Sequence, residues 1–220
     1  VLFRSGTDSS LSSGAPGLWG DSSSGTINGL TSLQLQALTT GQVKALSSTQ
    51  LNAMSSSALQ GLGIDGVNAL NTSQMAALSS TQLNKLSTAQ VQGLSTGNLK
   101  AISTTALQGL VTGQLNALGA SQVQALTVGQ LQSLTSSQLN SMDTAQVANL
   151  SSAQIQLLSS TQLNALEDGA LNAIETSDVA ALSTSQLVSL SSTQLNALTS
   201  TVLQSLETGD VQSLTKDQLA

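Results

Sequence analysis

Apolar residues recur along this chain with a period of eight, and the phase of the pattern is unchanged from residue 27 to residue 219. The segment Leu-Ser-Ser-Thr-Gln-Leu-Asn-Ala-Leu at residues 158–166 appears again, without a change, at residues 190–198. We label the octad positions a to h, with a at Leu190 and f at Leu195. All 24 a positions and all 25 f positions are apolar. So regular an internal repeat predicts a stack of structurally equivalent copies.

The spacing of the apolar residues argues against both a continuous strand and a continuous helix. Positions a and f are five residues apart, and f and the next a are three apart, so a strand would place them on opposite faces. In one long helix an octad advances by roughly 800°, and the apolar stripe would drift by about 80° per copy. The pattern therefore predicts that a helix ends and restarts in every octad.

The polar residues indicate where each helix starts. Position b is Ser or Thr in 16 of 24 octads, and position e, three residues later, is Gln in 16 of 24. This is the spacing of a capping box, in which the two side chains bond to each other's backbone N–H, and a and f stand where a hydrophobic staple places its apolar pair. We expect an all-α solenoid, a superhelix of very short capped helices with one per eight-residue repeat and two to four octads per turn.

The remaining positions complete this prediction. Positions d and h hold mostly small residues, so we expect close approach of neighbouring segments at both, whereas g is mostly Asn or Gln and is expected to face solvent. If the Gln at e only caps its own helix, Gln162→Ala should cost at most about 1 kcal/mol. Leu163→Ala should cost about 2 to 5 kcal/mol, because it empties part of the core.

Residues 1–26 do not follow the repeat and are expected to form a separate segment. Val1–Ser5 reads as the translated end of a sequencing adapter, so we expect these five residues not to be native and the chain to be a fragment from environmental DNA. The rest of the segment is rich in Gly and Ser, which predicts a flexible linker. Trp19 within it is expected to cover an end of the repeat core. Residues 27–220 are assigned to the octapeptide-repeat solenoid.

Composition narrows the possible functions. Only 7% of the residues are charged and the formal net charge is −6, so no basic surface is expected to bind nucleic acid. There is no run of 18 or more apolar residues, and no membrane-spanning helix is predicted. The chain has no His, Cys or Tyr, so we expect no activated nucleophile and no enzyme activity. No catalytic, cofactor-binding or metal-binding residue is predicted, and no cofactor.

Two irregular features leave alternatives open. The octads that begin Leu62-Gly-Ile, Leu110-Val-Thr and Leu118-Gly-Ala lack the b hydroxyl and are either recognition spots or, as we favour, tolerated local changes in stacking. Most of the acidic residues of the array lie in its C-terminal half. They are either calcium ligands or, as we favour, helix caps in the first turn of each helix. They are Asp143, Glu167, Asp168, Glu175, Asp178, Glu207, Asp210 and Asp217.

Runs such as Leu86-Ser-Thr-Ala-Gln-Val-Gln-Gly-Leu94 resemble the Leu-Ser/Thr-x-x-Gln-Leu-x-Ala arrays of very long bacterial secreted or surface proteins, some of them adhesin-like. The resemblance covers residues 27–220 and implies an extracellular or cell-surface location. It transfers no functional residue.

Together these observations favour a structural spacer, the stalk of such a protein. The first alternative is an interaction surface, in which rows of Ser, Thr, Asn and Gln bind glycan, protein or another copy of the chain. A remote alternative is ice binding by the same hydroxyl rows.

Overall fold

The computed structural model describes residues 27–166, 171–174 and 176–218. These residues form α-helices of four to six residues, with no strand in this part of the chain. The all-α solenoid of short helices predicted from the repeat is therefore confirmed. In chain order the helices are Ser32–Gln36, Thr40–Lys44, Ser48–Asn52, Ser56–Gly61, Gly63–Asn68, Thr72–Ala77, Ser80–Asn84, Thr88–Gln92, Thr96–Ala101, Thr104–Leu107, Thr112–Leu115, Ala120–Ala125, Val128–Ser133, Ser136–Asn140, Thr144–Ala148, Ser152–Gln156, Ser160–Asn164, Thr176–Ala180, Thr184–Ser189, Ser192–Ala197, Ser200–Gln204 and Thr208–Ser213.

Most of the helices restart through the side chains at b and e. In the octad of Leu190 the backbone of Ser191 is extended, and its hydroxyl accepts from the N–H of Gln194 at 3.1 Å. The side-chain oxygen of Gln194 accepts from the N–H of Ser191 in return, also at 3.1 Å. The helix ends where Leu198 becomes extended again, with φ −64° and ψ 140°. The helices listed above begin at c in every octad except the one that starts at Leu62.

Helices three octads apart pack against each other. Thr72–Ala77 contacts Thr96–Ala101, and Ser160–Asn164 contacts Thr184–Ser189, as do other pairs separated by 24 residues. The superhelix therefore has three octads per turn, within the range expected from the repeat. The a and f residues between 46 and 198 are all buried, and they form one apolar cluster along the solenoid.

Stacking at every third octad divides the helices into three columns, which we name by the a residues of their octads. Column 1 holds the octads that begin at Leu30, Met54, Leu78, Ile102, Leu126, Leu150, Ile174 and Leu198. Column 2 holds those that begin at Leu38, Leu62, Leu86, Leu110, Leu134, Leu158, Leu182 and Leu206. Column 3 holds those that begin at Leu46, Leu70, Leu94, Leu118, Met142, Leu166, Leu190 and Leu214.

The expectation of close approach is correct for position h and wrong for position d. A Cβ added to Gly109, at h, would lie 2.3 Å from the backbone oxygen of Ser80 in the preceding turn. A Cβ added to Gly113 or Gly129, both at d, would meet nothing within 4 Å. Position h thus lies against position c of the octad three copies earlier, as Gly61 also does against Ser32, whereas d does not lie against a neighbouring turn.

The octad of Leu62 departs from the regular restart. Leu62 is helical and joins the helix Ser56–Gly61 directly to Gly63–Asn68, without a side-chain cap. Gly63 has a φ of 69°, in the left-handed region that glycine adopts without a steric penalty. The octad therefore accommodates the missing cap through a change in its backbone path. Leu62 and Val67 stay buried in the core.

Several sequence predictions fall on residues outside the described ranges. The linker assigned to residues 1–26, with Trp19, lies outside them, as do the capping roles expected for Glu167, Asp168 and Glu175.

Candidate functional site

From Gln74 onward the described Gln residues at e lie inside the solenoid, although the neighbouring positions b, c and d are mostly exposed. Gln162 is only 6% exposed. Its side-chain oxygen accepts from the N–H of Ser159 at 3.1 Å, and its Nε2 donates to the carbonyls of Leu131 and Gln132 at 3.1 and 3.0 Å. These carbonyls belong to the C-terminal end of the helix Val128–Ser133, where backbone acceptors have no partner within the helix. One amide thus caps the start of its own helix and the end of another.

The same amide bridge recurs along the array. In each case Nε2 donates to one or more carbonyls that lie 27 to 31 residues earlier, in the preceding turn. The residues that do so are Gln74, Gln82, Gln90, Gln114, Gln122, Gln130, Gln138, Gln146, Gln154, Gln162, Gln186, Gln194 and Gln218. The e position therefore links turns of the solenoid to each other.

Our sequence prediction for e, a cap of its own helix alone, missed this second role. One signal in the sequence points to it: none of the 24 e positions is Glu. A capping box accepts Glu as readily as Gln, because only the side-chain oxygen is used. The preference for Gln over Glu at e indicates that the amide N–H groups also have partners.

Two octads show the limits of this bridge. At Asn98 a shorter amide still reaches the carbonyls of Val67 and Asn68, at 3.4 and 3.2 Å. Asp178 occupies e in its own octad and is 5% exposed, but its carboxyl group has no N–H to donate. The expectation that acidic residues cap helices is met by Asp143, whose carboxylate accepts from the N–H of Gln146 at 2.7 Å.

Asparagine at g forms a second link between turns. Asn68 donates to the carbonyl of Gly93 at 2.6 Å and accepts from the N–H of Ser95 at 2.8 Å. Asn28, Asn52 and Asn172 make the equivalent pair of bonds 25 and 27 residues ahead. The expectation that g simply faces solvent is therefore wrong for these four residues.

The Asn bridge occurs where the capping bond from e is missing. The backbone N–H groups of Ser55 and Thr199 have no side-chain oxygen at e to donate to, because Ala58 and Val202 are apolar. They donate instead to the side-chain oxygens of Asn28 and Asn172. At Ser79 the bond is missing for another reason. There Lys85 donates to the side-chain oxygen of Gln82, and Asn52 accepts from the N–H of Ser79. An Asn one turn earlier thus replaces a cap that the octad lacks.

We expect Asn68→Ala to lower the free energy of unfolding by about 1 to 2 kcal/mol, because two backbone groups lose their partners. Asn164→Ala is the matched control: Asn164 is also at g but is exposed, and the N–H of Ser191, 27 residues ahead, already donates to Gln194. That change should stay within about 0.5 kcal/mol. Urea unfolding followed by circular dichroism measures both, and equal costs would show that the Asn bridge contributes nothing.

Positions b, c, d and g form the outer surface, and the three columns differ in charge there. In the sequence, column 2 carries Lys44, Asp65 and Glu207 at these positions, and column 3 carries Lys100, Asp143, Glu167, Asp168, Lys216 and Asp217. Within the described residues, column 1 has no charged residue at b, c, d or g. The six octads of column 1 that begin at residues 30 to 150 therefore form an uncharged polar strip along the solenoid. Glu175, at b of the next octad of this column, lies outside the described residues.

The described ranges contain no group of three or more His, Cys, Asp or Glu that could hold a metal ion. No helix within the same ranges is long and apolar enough to cross a membrane.

Comparison with known proteins identifies the repeat. The ALTTAQ repeat family matches residues 44–80, 67–104, 94–128 and 171–208, which together make up more than half of the chain. No curated protein matches the chain. The matched segments lie within the octad array, in which b and e side chains cap helices and e amides join the turns. The chain belongs to the ALTTAQ repeat family.

Proposed function

We propose that this array is a non-enzymatic structural spacer, the stalk of a bacterial surface or secreted protein that holds another module away from the cell. The observation that carries the proposal is the amide bridge at e, repeated from Gln74 to Gln218. Because each turn contacts the next through the same bonds, turns can be added or removed without a new kind of contact.

Stiffness is the second property that a spacer needs, and the bridges support it. Gln130 donates to the carbonyls of Leu99 and Ile102 at 2.8 Å each, so an octad is fixed to octads three and four copies earlier. Bending the solenoid would lengthen such bonds between turns while the apolar core below them stays packed. A chain in which octads touched only their sequence neighbours would lack this resistance.

An extracellular or cell-surface location is part of the same proposal. The support for it is the resemblance of the repeat to arrays in large bacterial surface proteins. The adhesin-type alternative, in which the array itself binds a partner, is favoured by one observation, the uncharged strip of column 1.

A distance measurement tests the spacer. Thr49 and Thr193 are exposed, both lie at d in column 3, and they are six turns apart. The chain contains no native Cys, so Thr49→Cys and Thr193→Cys provide two unique labelling sites for pulsed electron spin resonance. We expect a narrow distance distribution with a mean of about 50 to 60 Å, because packed helices are about 8 to 10 Å apart and six turns separate the two sites.

Duplication of residues 110–133, one complete turn, should then lengthen the mean distance by about 8 to 10 Å and keep the distribution narrow. An insertion of 24 Gly and Ser residues at the same point is the control and should broaden the distribution, because such linkers behave as random coils. A broad distribution in the parent chain, or a mean that ignores the extra turn, would refute a stiff spacer.

A further inference from the structure

Hydroxyl side chains are denser on column 1 than on the other columns. Ser or Thr occupies 19 of the 24 b, c and d positions in column 1, against 15 in column 2 and 13 in column 3. In three successive turns of column 1 all nine positions carry a hydroxyl. These nine residues are Ser55, Ser56, Ser57, Ser79, Ser80, Thr81, Ser103, Thr104 and Thr105.

Within these turns the hydroxyls have different tasks. Those of Ser55, Ser79 and Ser103, at b, accept from the backbone N–H at e and are used by the helix caps. The d residues of the same turns, Ser57, Thr81 and Thr105, are exposed. A row of outward hydroxyls therefore repeats once per turn.

Column 1 also carries immobilised amides beside the hydroxyls. Gln60, Gln108 and Gln132, at g, each donate to a carbonyl in the next turn, at 2.9, 2.8 and 2.7 Å. Among the described residues this bond from a Gln at g is found only on column 1. Side chains that are already fixed lose less conformational freedom when a ligand covers them.

We propose that column 1 binds a neutral polysaccharide chain lying along the superhelix axis. A hydroxyl donates one hydrogen bond and accepts two, which matches the donor and acceptor character of sugar hydroxyls. Between residues 30 and 157 no b, c, d or g position of column 1 is charged, so a neutral ligand covers this part of the strip without stripping water from an ion. An anionic polymer finds no basic row on this column to pair with its charges.

The repeat of the strip favours a polymer over a compact ligand. Equivalent hydroxyls follow each other at about 8 to 10 Å, the spacing of packed helices, so an extended chain meets the same groups in turn after turn. The described residues contain no aromatic side chain on which a sugar ring could stack. Each contact is therefore weak, and the affinity comes from the number of turns that bind the same chain.

Two triple variants test this inference. The first carries Ser57→Glu, Thr81→Glu and Thr105→Glu, one in each of three successive turns of column 1. The matched control carries Ser137→Glu, Thr161→Glu and Ser185→Glu, at the same position d in three successive turns of column 2, where all three residues are exposed. An acidic residue in the first turn is compatible with the helix dipole, so both variants should fold, as circular dichroism will check.

The probes are insoluble cellulose, β-1,3-glucan and starch, each mixed with the full chain and sedimented. We expect the parent protein to be retained by at least one of the three. The column 1 variant should bind that polysaccharide at least about tenfold more weakly, because the new charges would have to be desolvated. The column 2 variant should bind it as the parent does.

Three outcomes would overturn the inference. They are no retention on any of the three polysaccharides, equal loss of retention in both variants, and a column 1 effect seen only on ice growth or on self-association in analytical ultracentrifugation. The last would assign the strip to ice or to a second copy of the chain. The spacer is tested separately by the spin-label distances, so either proposal can fail while the other stands.

Discussion

Gln162→Glu is expected to lower the free energy of unfolding by about 3 to 5 kcal/mol, the range seen when a buried charge is left without a partner. The carboxylate still accepts from the N–H of Ser159, but it replaces the amide N–H groups that donate to the carbonyls of Leu131 and Gln132. Gln162→Ala should cost about 2 to 3 kcal/mol, because the carbonyls of Gln132 and Leu134 lose the amide donor, whereas that of Leu131 keeps the N–H of Leu134. Urea unfolding of the three proteins under identical conditions measures both effects.

Gln124 provides the control for this prediction. It lies at g, is exposed, and Gln124→Glu should change stability by no more than about 0.5 kcal/mol. The reverse change, Asp178→Gln, should stabilise the chain by about 1 to 3 kcal/mol, since it supplies the missing donor at a buried e position. If Gln162→Glu were as mild as Gln124→Glu, the e row would not join the turns.

Gly109→Ala is expected to destabilise the chain by about 1 to 3 kcal/mol, the usual cost of overpacking. Its new Cβ would lie 2.3 Å from the backbone oxygen of Ser80, which cannot move aside as a side chain can. The turns would have to separate locally. The change in thermal midpoint and the urea unfolding curve both report this cost.

Gly113→Ala is the matched control and should have the opposite sign. Gly113 lies within the helix Thr112–Leu115, and a Cβ there meets nothing within 4 Å. Replacing a helical Gly by Ala should therefore stabilise the chain by about 0.5 to 1 kcal/mol. Destabilisation by both changes would mean that position d, like h, packs against a neighbouring turn.

The octad pattern determined everything that depends on contacts within eight residues. The odd spacing of a and f excluded a strand, the drift of the apolar stripe excluded a long helix, and the b and e residues placed the start of each helix. These features are local, because a cap bonds to backbone groups only three residues away. The sequence could therefore predict the short helices, the buried a and f rows and the all-α solenoid.

The tertiary structure decided what the e, g and h positions do across turns. Gln162 and Asn164 are both amides in the same octad, yet the first is buried against carbonyls about 30 residues earlier and the second is exposed. A period of eight contains no information about which octads become neighbours. The partners are selected only when the chain returns on itself after three octads. The same return sorts otherwise similar octads into three columns, one of which has no charged residue at b, c, d or g in its described part.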